Sequence, residues 1–358
     1  MKIGILTFHR AENFGAVFQC YALQQFLRST GCDVEIIDHR NKNIEKGYSL
    51  FPLRLTTAME LAKSVIQSLL TFSMRLKKKK KYKEFRTKYF ELSPNVYIDS
   101  SFSSKYDIII CGSDQIWNPR LTRVFDENYF LCFDTPVTKI AYGASSEKKD
   151  YHLLDGKKEK LCSSFSVYKA LSVREKEFSD YLNDLLGIKF EIVIDPTFLI
   201  DKDIYYKLAI SPKIQNYVLV YNLVYSMQAI NFANLLARKK GLKVIVVSAG
   251  FKPKFRAKNE LMCLGPQELL GYIANAEYVV TTSFHGLALS LILNKQVYVA
   301  KIKYGMRLMN LIEDLNLECR VLDNIKKFNH PPIDYATINR LLSSKIQKSK
   351  NFLINAIK

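Results

Sequence analysis

The sequence predicts an α/β protein with two Rossmann-like domains whose parallel sheets face each other across a cleft. Short runs of Val, Ile, Leu and Tyr alternate with helical segments along most of the chain. This alternation is typical of parallel sheets covered by helices on both faces. It occurs as two separate series, and a chain of 358 residues exceeds the usual size of one domain.

The first series covers residues 1–200, which we assign to an N-terminal domain. It opens with a strand, a polar loop, a helix and a second strand, which is a βαβ arrangement. A basic helical insertion at about 48–91 then interrupts the alternation. The sheet resumes at Tyr106–Cys111, and three further strand signals follow: KIAYGAS, KALSVRE and KFEIVID.

The second series covers residues 201–330, a C-terminal domain that follows a linker bracketed by Pro196 and Pro212. Residues 331–358 form a tail that ends in a helix. Helical patterns separate the strand signals of this domain, which are YVLVYNL, LKVIVVSA, EYVVTTS and QVYVAKI, and LECRVLD closes the series.

The composition favours anionic partners. The formal net charge is +19, and nine basic residues against one acidic residue lie between Met74 and Phe90. Such a balance favours nucleic acid, acidic membrane surfaces or phosphorylated substrates. The seven cysteines form no CxxC pair, so we expect reduced cysteines in a cytosolic protein and no metal site.

Two segments bear on localisation. The first residues become polar too quickly for a signal peptide and indicate a strand. Ala58–Leu76 predicts an amphipathic helix that is not a membrane span, and the lysine run Lys77–Lys81 follows it. A solvated face is one interpretation of residues 58–90, and peripheral contact with the anionic inner face of a membrane is another. We expect a cytoplasmic protein and no nucleic-acid partner, because a recognition motif is missing.

The loops after strands are the places to look for a site, because ligands of open α/β sheets bind beyond the carboxyl ends of the strands. His285 stands between a strand and a helix, where it would contact a phosphate or donate a proton. Gly286 would let a ligand approach the backbone closely. The alternative is a helix-terminal histidine that hydrogen-bonds a neighbouring loop.

Candidate residues of the N-terminal half each have a structural alternative. Asn13 and Gly15 would present polar atoms to a ligand, or would simply form a turn and helix cap. Arg174 suits bidentate contact with phosphate or carboxylate, or an ordinary ion pair. After the strand at Tyr106–Cys111, three polar residues suit sugar hydroxyls and a tryptophan would stack on a sugar ring or pack in the core: Asp114, Gln115, Asn118 and Trp117.

These landmarks occur in one order, and on them the sequence resembles the polysaccharide pyruvyl transferase family from the first strand to about Arg320. The resemblance implies a GT-B-like architecture and transfer of a pyruvyl group from phosphoenolpyruvate to sugar hydroxyls, often as a cyclic ketal. The sugar would belong to a capsule, exopolysaccharide or cell-wall polymer, or to its lipid-linked precursor. The segments that carry the resemblance are NFGAVFQCYALQ, GSDQIWNP, SVRE, VIDPTFLID, YVLVYNL and TTSFHGLALSLILNK.

The resemblance also implies roles for single residues. His285 matches the histidine at the phosphoenolpyruvate site, and Arg174 matches an arginine expected to contact the anionic groups of phosphoenolpyruvate. The sequence departs from the family at Ser283, where some members carry arginine. We hypothesise that Arg307 supplies the missing cation, with Lys303 as the weaker candidate.

The implied chemistry asks for an acid, cations and an acceptor surface. His285 would act as general acid or phosphate contact and Asp114 as general base, with phosphoenolpyruvate as a substrate and no cofactor. The N-terminal domain would then be the acceptor side and the C-terminal domain the donor side. The acceptor sugar would contact Asn13, Gly15, Gln115, Trp117 and Asn118. Two other functions stay open: a GT-B glycosyltransferase that uses a nucleotide sugar, and a non-catalytic basic protein that binds membrane or nucleic acid.

Overall fold

The computed structural model describes residues 1–51, 57–248, 260–302, 305–324 and 331–358. The chain forms two compact units. Unit 1 consists of Met1–Pro52, Arg86–Ile200 and Ser343–Lys358, and unit 2 consists of Leu53–Phe85 and Asp201–Leu342. Most of the segment that we assigned to the first domain as an insertion therefore belongs to unit 2, and the end of the C-terminal tail belongs to unit 1.

Unit 1 contains a seven-stranded parallel sheet in the order β3-β2-β1-β4-β5-β6-β7. The strands are β1 (Lys2–Leu6), β2 (Asp33–His39), β3 (Leu92–Tyr97), β4 (Ile108–Cys111), β5 (Thr138–Ala144), β6 (Tyr168–Val173) and β7 (Glu191–Ile192). The central strands are apolar and buried on both faces, as parallel strands under helices must be. Ile5 of β1, for example, pairs with Ile36 of β2 and Ile110 of β4.

Helices connect these strands. They are α1 (Phe14–Ser29), α2 (Lys42–Lys46), α3 (Ala58–Tyr89), α4 (Pro119–Thr122), α5 (Lys158–Phe165) and α6 (Lys176–Leu186). The C-terminal helix α12 (Tyr335–Ile357) returns the chain to unit 1, where Ser349 donates its hydroxyl hydrogen within the helix and accepts a bond from Ile194. Helix α3, with 32 residues, passes from unit 2 into unit 1.

Unit 2 contains a five-stranded parallel sheet in the order β10-β9-β8-β11-β12. Its elements are α7 (Lys202–Leu208), β8 (Tyr217–Asn222), α8 (Met227–Lys240), β9 (Lys243–Ser248), β10 (Glu260–Leu261), α9 (Pro266–Ala274), β11 (Tyr278–Thr281), α10 (Phe284–Ile292), β12 (Gln296–Val299) and α11 (Met306–Asp314). Val220 of β8 pairs with Val246 and Val280 in its buried core. The segment LECRVLD forms short 3-10 turns instead of a strand.

Both sheets confirm the predicted fold class of two parallel-sheet α/β units. The strand order reverses between β1 and β4 in unit 1 and between β8 and β11 in unit 2. In open α/β sheets, ligands bind beyond the carboxyl ends of the strands at such a switch point. Among the helices of the described ranges, none is both long and apolar enough to cross a bilayer.

Candidate functional site

The loops after β1 and β4 are joined by hydrogen bonds at the switch point of unit 1. The Thr7 hydroxyl donates to the Ser113 carbonyl at 3.1 Å and accepts from the Gln19 amide at 2.9 Å. The Ser113 backbone N–H donates to Gln19 Oε1 at 3.2 Å. Gly112 lets the chain after β4 pass close to β5: its φ is +129°, and a Cβ there would lie 2.1 Å from the Tyr142 carbonyl oxygen. The hydrogen bonds and Gly112 therefore determine the backbone conformation that leads into Asp114.

Arg174 lies between two carboxylates and is only 4% exposed. Its Nη2 donates to Asp114 Oδ1 at 2.9 Å, and its Nη1 donates to Asp195. Asp195 also accepts from the backbone N–H and the hydroxyl of Thr197, at 2.9 and 2.7 Å. Burial alone would lower the pKa of Arg174, but Asp195 and Asp114 raise it, so the guanidinium stays charged.

This geometry changes the interpretation of Arg174. The positive charge that we expected to face phosphoenolpyruvate is already balanced by Asp114 and Asp195, which is the ion-pair alternative. What Arg174 does instead is hold the Asp114 carboxylate. Asp114 is half-buried with φ +71°, and its backbone carbonyl accepts from Ser145 N at 3.0 Å. Asp114 is therefore a positioned carboxylate at the end of β4.

The role predicted for Trp117 in sugar stacking is wrong. The indole is fully buried, it stacks on Phe130 and Phe165, and its Nε1 donates to the Tyr129 carbonyl at 2.9 Å. Its ring faces are covered by aromatic side chains, so Trp117 belongs to the core of unit 1.

The acceptor-binding role predicted for Asn118 is wrong as well, because its side chain is engaged within unit 1. Its side chain is buried, accepts from Arg120 N at 3.0 Å and donates to Gln115 and Asp150 at 3.0 and 3.1 Å. These bonds cap α4 and engage both ends of the amide. Gln115 is half-buried and donates to Glu147 at 3.0 Å, so it remains close to the end of β5.

Asn13 and Gly15 form the start of α1. The Asn13 side chain accepts from Gly15 N at 2.8 Å and Ala16 N at 3.3 Å, which is an N-cap. Gly15 is buried, whereas Asn13 is half-buried. The structure thus places both residues at the switch point with the cap geometry that was one of the two alternatives.

Sequence reasoning missed a charged cluster at the ends of β1 and β2. Asp38 accepts from His9 Nε2 at 2.9 Å and from Arg10 Nε at 2.8 Å, and Arg10 Nη2 makes a second contact. Burial opposes ionisation of Asp38, but the bonds from His9 and Arg10 hold the pKa of its carboxyl well below its usual value. Burial also lowers the pKa of His9. The polar loop HRAENFG was a signal, but Asp38 lies 28 residues beyond Arg10.

Tyr48 is a further residue that sequence reasoning missed. Burial raises the pKa of Tyr48 to about 12, and the negative charges of Asp114 and Glu12 add to this shift. The phenol therefore stays protonated at neutral pH. Its hydroxyl is therefore a neutral polar group that feels the charges of Asp114 and Glu12.

In unit 2, the stretch from Ser283 to Gly286 joins β11 to α10 at the switch point. The Ser283 hydroxyl accepts from Gly286 N at 3.3 Å and caps α10, while Ser283 N donates to Thr281 Oγ1 at 3.0 Å. His285 is the second residue of α10 and is 8% exposed. The first turn of a helix is where backbone N–H groups lack intrahelical partners and attract anions.

Gly286 has a packing role that the sequence did not indicate. A Cβ at this position would lie 2.3 Å from Thr281 Oγ1 and 2.6 Å from Tyr221 Cδ1. The glycine therefore lets α10 pack closely against β8 and β11, and close approach of a ligand to its backbone stays a prediction. Gly286 positions His285 by bringing the helix onto the sheet.

Asn222 and Ser248 end β8 and β9 and are buried. Asn222 Oδ1 accepts from Ser226 N at 2.9 Å. Within the described ranges, neither Asn222 Nδ2 nor Ser248 Oγ has a hydrogen-bond partner. Buried polar atoms are normally satisfied, so these atoms are candidates to bind a ligand at the carboxyl edge of the sheet. In the sequence, the signal for these two residues was a polar residue at the end of each of two apolar strands.

Arg307 is the second residue of α11 and is half-buried. Helix α11 follows β12, the neighbour of β11, so the topology brings the starts of α10 and α11 to one edge of one sheet. Lys303 lies outside the described residues. The predicted residues Arg174 and His285 belong to different units. In the described part of the chain, no three His, Cys, Asp or Glu residues are grouped as metal ligands would be.

Comparison with solved structures finds UDP-GlcNAc 2-epimerases and glycosyltransferases at low identity. UDP-GlcNAc 2-epimerase from Neisseria meningitidis has 10% identity and a TM-score of 0.47, covering 99% of this chain and 94% of that one. UDP-GlcNAc 2-epimerase from Methanocaldococcus jannaschii has 11% identity and a TM-score of 0.42, covering 100% and 99%. The glycosyltransferase SsfS6 from Streptomyces sp. SF2575 has 12% identity and a TM-score of 0.42, covering 99% of both chains.

The sequence comparisons bear on the family. Comparison with curated protein sequences gives no significant match. The profile of the family described as polysaccharide pyruvyl transferase matches residues 13–300, which include the ends of β4, β6, β8 and β11. A match over this much of the chain shows that the protein belongs to the polysaccharide pyruvyl transferase family.

Proposed function

We propose that this protein transfers a pyruvyl group from phosphoenolpyruvate to hydroxyls of a sugar in a bacterial surface-polysaccharide precursor, forming a pyruvate ketal. Capsule, exopolysaccharide and cell-wall polymers are the acceptor classes, with a lipid-linked precursor as the form presented to the enzyme. The observation that carries the proposal, given the family, is the position of His285 at the start of α10, on the switch point of unit 2.

Phosphoenolpyruvate carries a phosphate and a carboxylate, so its site must supply several hydrogen-bond donors or cations. The starts of α10 and α11 supply helix N-termini at one edge of the sheet. Arg307 would add a cation, and Asn222 Nδ2 would add a buried neutral donor. Ser283 would contribute through the cap that orders the first turn of α10. Together these groups suit a small ligand that carries two anionic groups.

The reaction needs one proton to reach carbon and one to leave with phosphate. A sugar hydroxyl attacks the central carbon of phosphoenolpyruvate while His285 protonates the methylene carbon, which becomes a methyl group. A second hydroxyl then forms the other C–O bond as the C–O bond to phosphate breaks. The protons of the two hydroxyls balance the methyl group and the released phosphate. The cations and helix termini stabilise the departing phosphate.

Unit 1 would bind the acceptor. Asp114, held by Arg174, is the candidate base for a sugar hydroxyl, and Gln115 lies beside it. Arg10 adds a partly exposed cation at the same edge of the sheet, and Tyr48 adds a neutral hydroxyl that feels the charge of Asp114. Carboxylates, amides and hydroxyls are the groups that hydrogen-bond sugars.

The test uses the purified full chain, phosphoenolpyruvate and a candidate lipid-linked oligosaccharide, with product mass and released phosphate as readouts. His285→Gln should lower turnover by at least about a hundredfold, the usual scale for removing a general acid. His152→Gln, at an exposed position, is the matched control and should act as the parent protein does. Near-parental turnover of His285→Gln would remove His285 from the mechanism.

A second measurement addresses the cation. Thermal stabilisation by phosphoenolpyruvate follows ligand affinity, with UDP-, GDP- and CMP-sugars as comparison ligands. Arg307→Ala should weaken stabilisation by phosphoenolpyruvate. Undiminished stabilisation of this variant would refute the role of Arg307, and stabilisation by a nucleotide sugar alone would refute the choice of donor.

A further inference from the structure

The first half of α3 exposes apolar side chains and buries small polar ones. Four apolar residues are 59–68% exposed: Met59, Ile66, Leu69 and Leu70. The buried positions of the same stretch are Ser64, Ser68 and Thr71. An ordinary surface helix has the reverse arrangement, with its apolar stripe facing the core. In this half of α3 the apolar side chains are therefore on the exposed face and the polar ones on the buried face, the opposite of a helix whose outer face is in water.

The buried hydroxyls need no partner from the rest of unit 2. Ser64 donates to the Leu61 carbonyl at 2.8 Å, Ser68 to Ser64 at 2.6 Å and Thr71 to Gln67 at 2.7 Å. Because each hydroxyl is satisfied inside the helix, these small residues can be buried without an unpaired polar group. The inverted arrangement is thus physically consistent.

The second half of α3 fixes the helix to unit 2. Tyr82 and Phe85 are buried, and Lys81 Nζ donates to both carboxylate oxygens of Glu268 at 2.7 and 2.6 Å. Lys81 also packs against Gly265, where a Cβ would lie 2.9 Å from its own Cβ. The exposed face of the first half is therefore held in a defined orientation by its own unit.

The apolar face continues into lysines. Seven residues make about two helical turns, so residues seven apart share a face. Leu70 is followed by Lys77 at this spacing, and Ile66 by Lys80 at twice the spacing. Both lysines are exposed. We define this outer face of Met59–Lys83 as the docking face. It is about 37 Å long at 1.5 Å per residue.

We propose that the docking face lies in the interface of an anionic membrane, with Ile66, Leu69 and Leu70 among the acyl chains and Lys77 and Lys80 at the headgroups. An apolar face beside clustered lysines is the pattern that binds such an interface. A second copy of the chain fits less well, because each copy carries a net charge of +19 and would bring its own lysine run to the contact. The inference does not rest on the proposed function, although it would bring the enzyme to lipid-linked acceptors.

The test is flotation of the full chain with phosphatidylcholine vesicles and with vesicles that also contain phosphatidylglycerol. Binding should require phosphatidylglycerol. Lys77→Gln/Lys80→Gln should lower the partition coefficient about 25-fold, at roughly fivefold per lysine. Ile66→Ser/Leu70→Ser should lower it by at least about tenfold. Because all four positions are exposed, these variants should keep the circular dichroism of the parent protein.

Matched controls come from exposed positions elsewhere. Ile98→Ser/Val167→Ser removes equally exposed apolar residues from unit 1, and Lys239→Gln/Lys240→Gln removes exposed lysines from the end of α8. Both control variants should bind as the parent protein does. Equal loss in the control and test variants would overturn the proposal, because binding would then follow general hydrophobicity or net charge.

Insertion has its own readout. Brominated lipids should quench the added fluorophore of Leu69→Trp but leave the parent protein unchanged, because its one tryptophan, Trp117, is fully buried. Three results would overturn the proposal: absence of binding to phosphatidylglycerol vesicles, binding to nucleic acid in its place, or a dimer that Ile66→Ser/Leu70→Ser dissociates without vesicle binding. Turnover of a water-soluble acceptor is measured in parallel. If the parent protein binds vesicles but does not turn over this acceptor, the result counts against the proposed function alone.

Discussion

Replacing Arg174 with Met should destabilise unit 1 strongly. The guanidinium is 4% exposed, Asp195 is fully buried and Asp114 is 17% exposed, so Arg174→Met leaves two carboxylates without their cation. Removing one partner of a buried ion pair typically costs about 3–5 kcal/mol. Thr197 still donates two hydrogen bonds to Asp195, which moderates the loss and favours the lower end of that range.

The assay is urea unfolding followed by the fluorescence of Trp117. This is the one tryptophan in the sequence, and it lies in the core of unit 1, so its signal reports the unit that contains Arg174. A double-mutant cycle with Asp114→Asn isolates the contact between Arg174 and Asp114. The double variant should lose less than the sum of the single variants, with a coupling of about 1–3 kcal/mol.

Arg28→Met is the matched control. Arg28 also contacts a carboxylate at 2.9 Å in unit 1, that of Glu91, but both side chains are largely exposed. Its loss should cost about 0–1 kcal/mol, the usual scale for a surface pair. A cost for Arg174→Met no larger than that of the control, or zero coupling in the cycle, would refute the view that Arg174 holds Asp114.

Three further predictions concern packing, acid stability and ligand binding. Gly286→Ala should destabilise unit 2 by about 1–3 kcal/mol in thermal unfolding, because the added methyl group overlaps neighbouring atoms, whereas Gly156→Ala has open space and should change little. The folded-state pKa of Asp38 lies below its unfolded value of about 3.9, so its stabilisation is present above that pH and lost as pH falls. Asp38→Asn should therefore lower stability at neutral pH by about 2 kcal/mol and have little effect in acid, and an equal effect at both would contradict the shift. Asn222→Ala should raise the KM for phosphoenolpyruvate about tenfold or more with unit 2 still folded, and an unchanged KM would exclude Asn222 from the site.

The parallel-sheet architecture was predictable because its signal is local. Runs such as Ile108–Cys111 are apolar throughout, as only strands buried on both faces are, and helical patterns separate them. The position of His285 at the junction of β11 and α10 followed from the same alternation. Strand β3 was missed because Leu92–Tyr97 contains Pro94 and follows a basic helix.

The partners of the site residues were not predictable, since they depend on contacts between distant segments. Arg174 meets Asp195 only because β6 and β7 are neighbours in the sheet. Trp117 illustrates a different limit. The sequence shows that a tryptophan is present but not whether its ring is exposed to a sugar or buried in the core, and the structure shows that it is buried. Helix α3 shows a third limit. Its amphipathic pattern does not tell which face is buried, and the structure buries Ser64 and Ser68 but exposes Leu69 and Leu70.

The central claim is that a pyruvyl group passes from phosphoenolpyruvate to a sugar with His285 as the acid. The most direct measurement is the mass of a lipid-linked oligosaccharide after incubation with phosphoenolpyruvate and the protein. We predict that the acceptor mass increases by one pyruvate ketal while one equivalent of phosphate is released. Both changes should be lost with His285→Gln. An acceptor unchanged by phosphoenolpyruvate but extended by one sugar from a nucleotide sugar would contradict it.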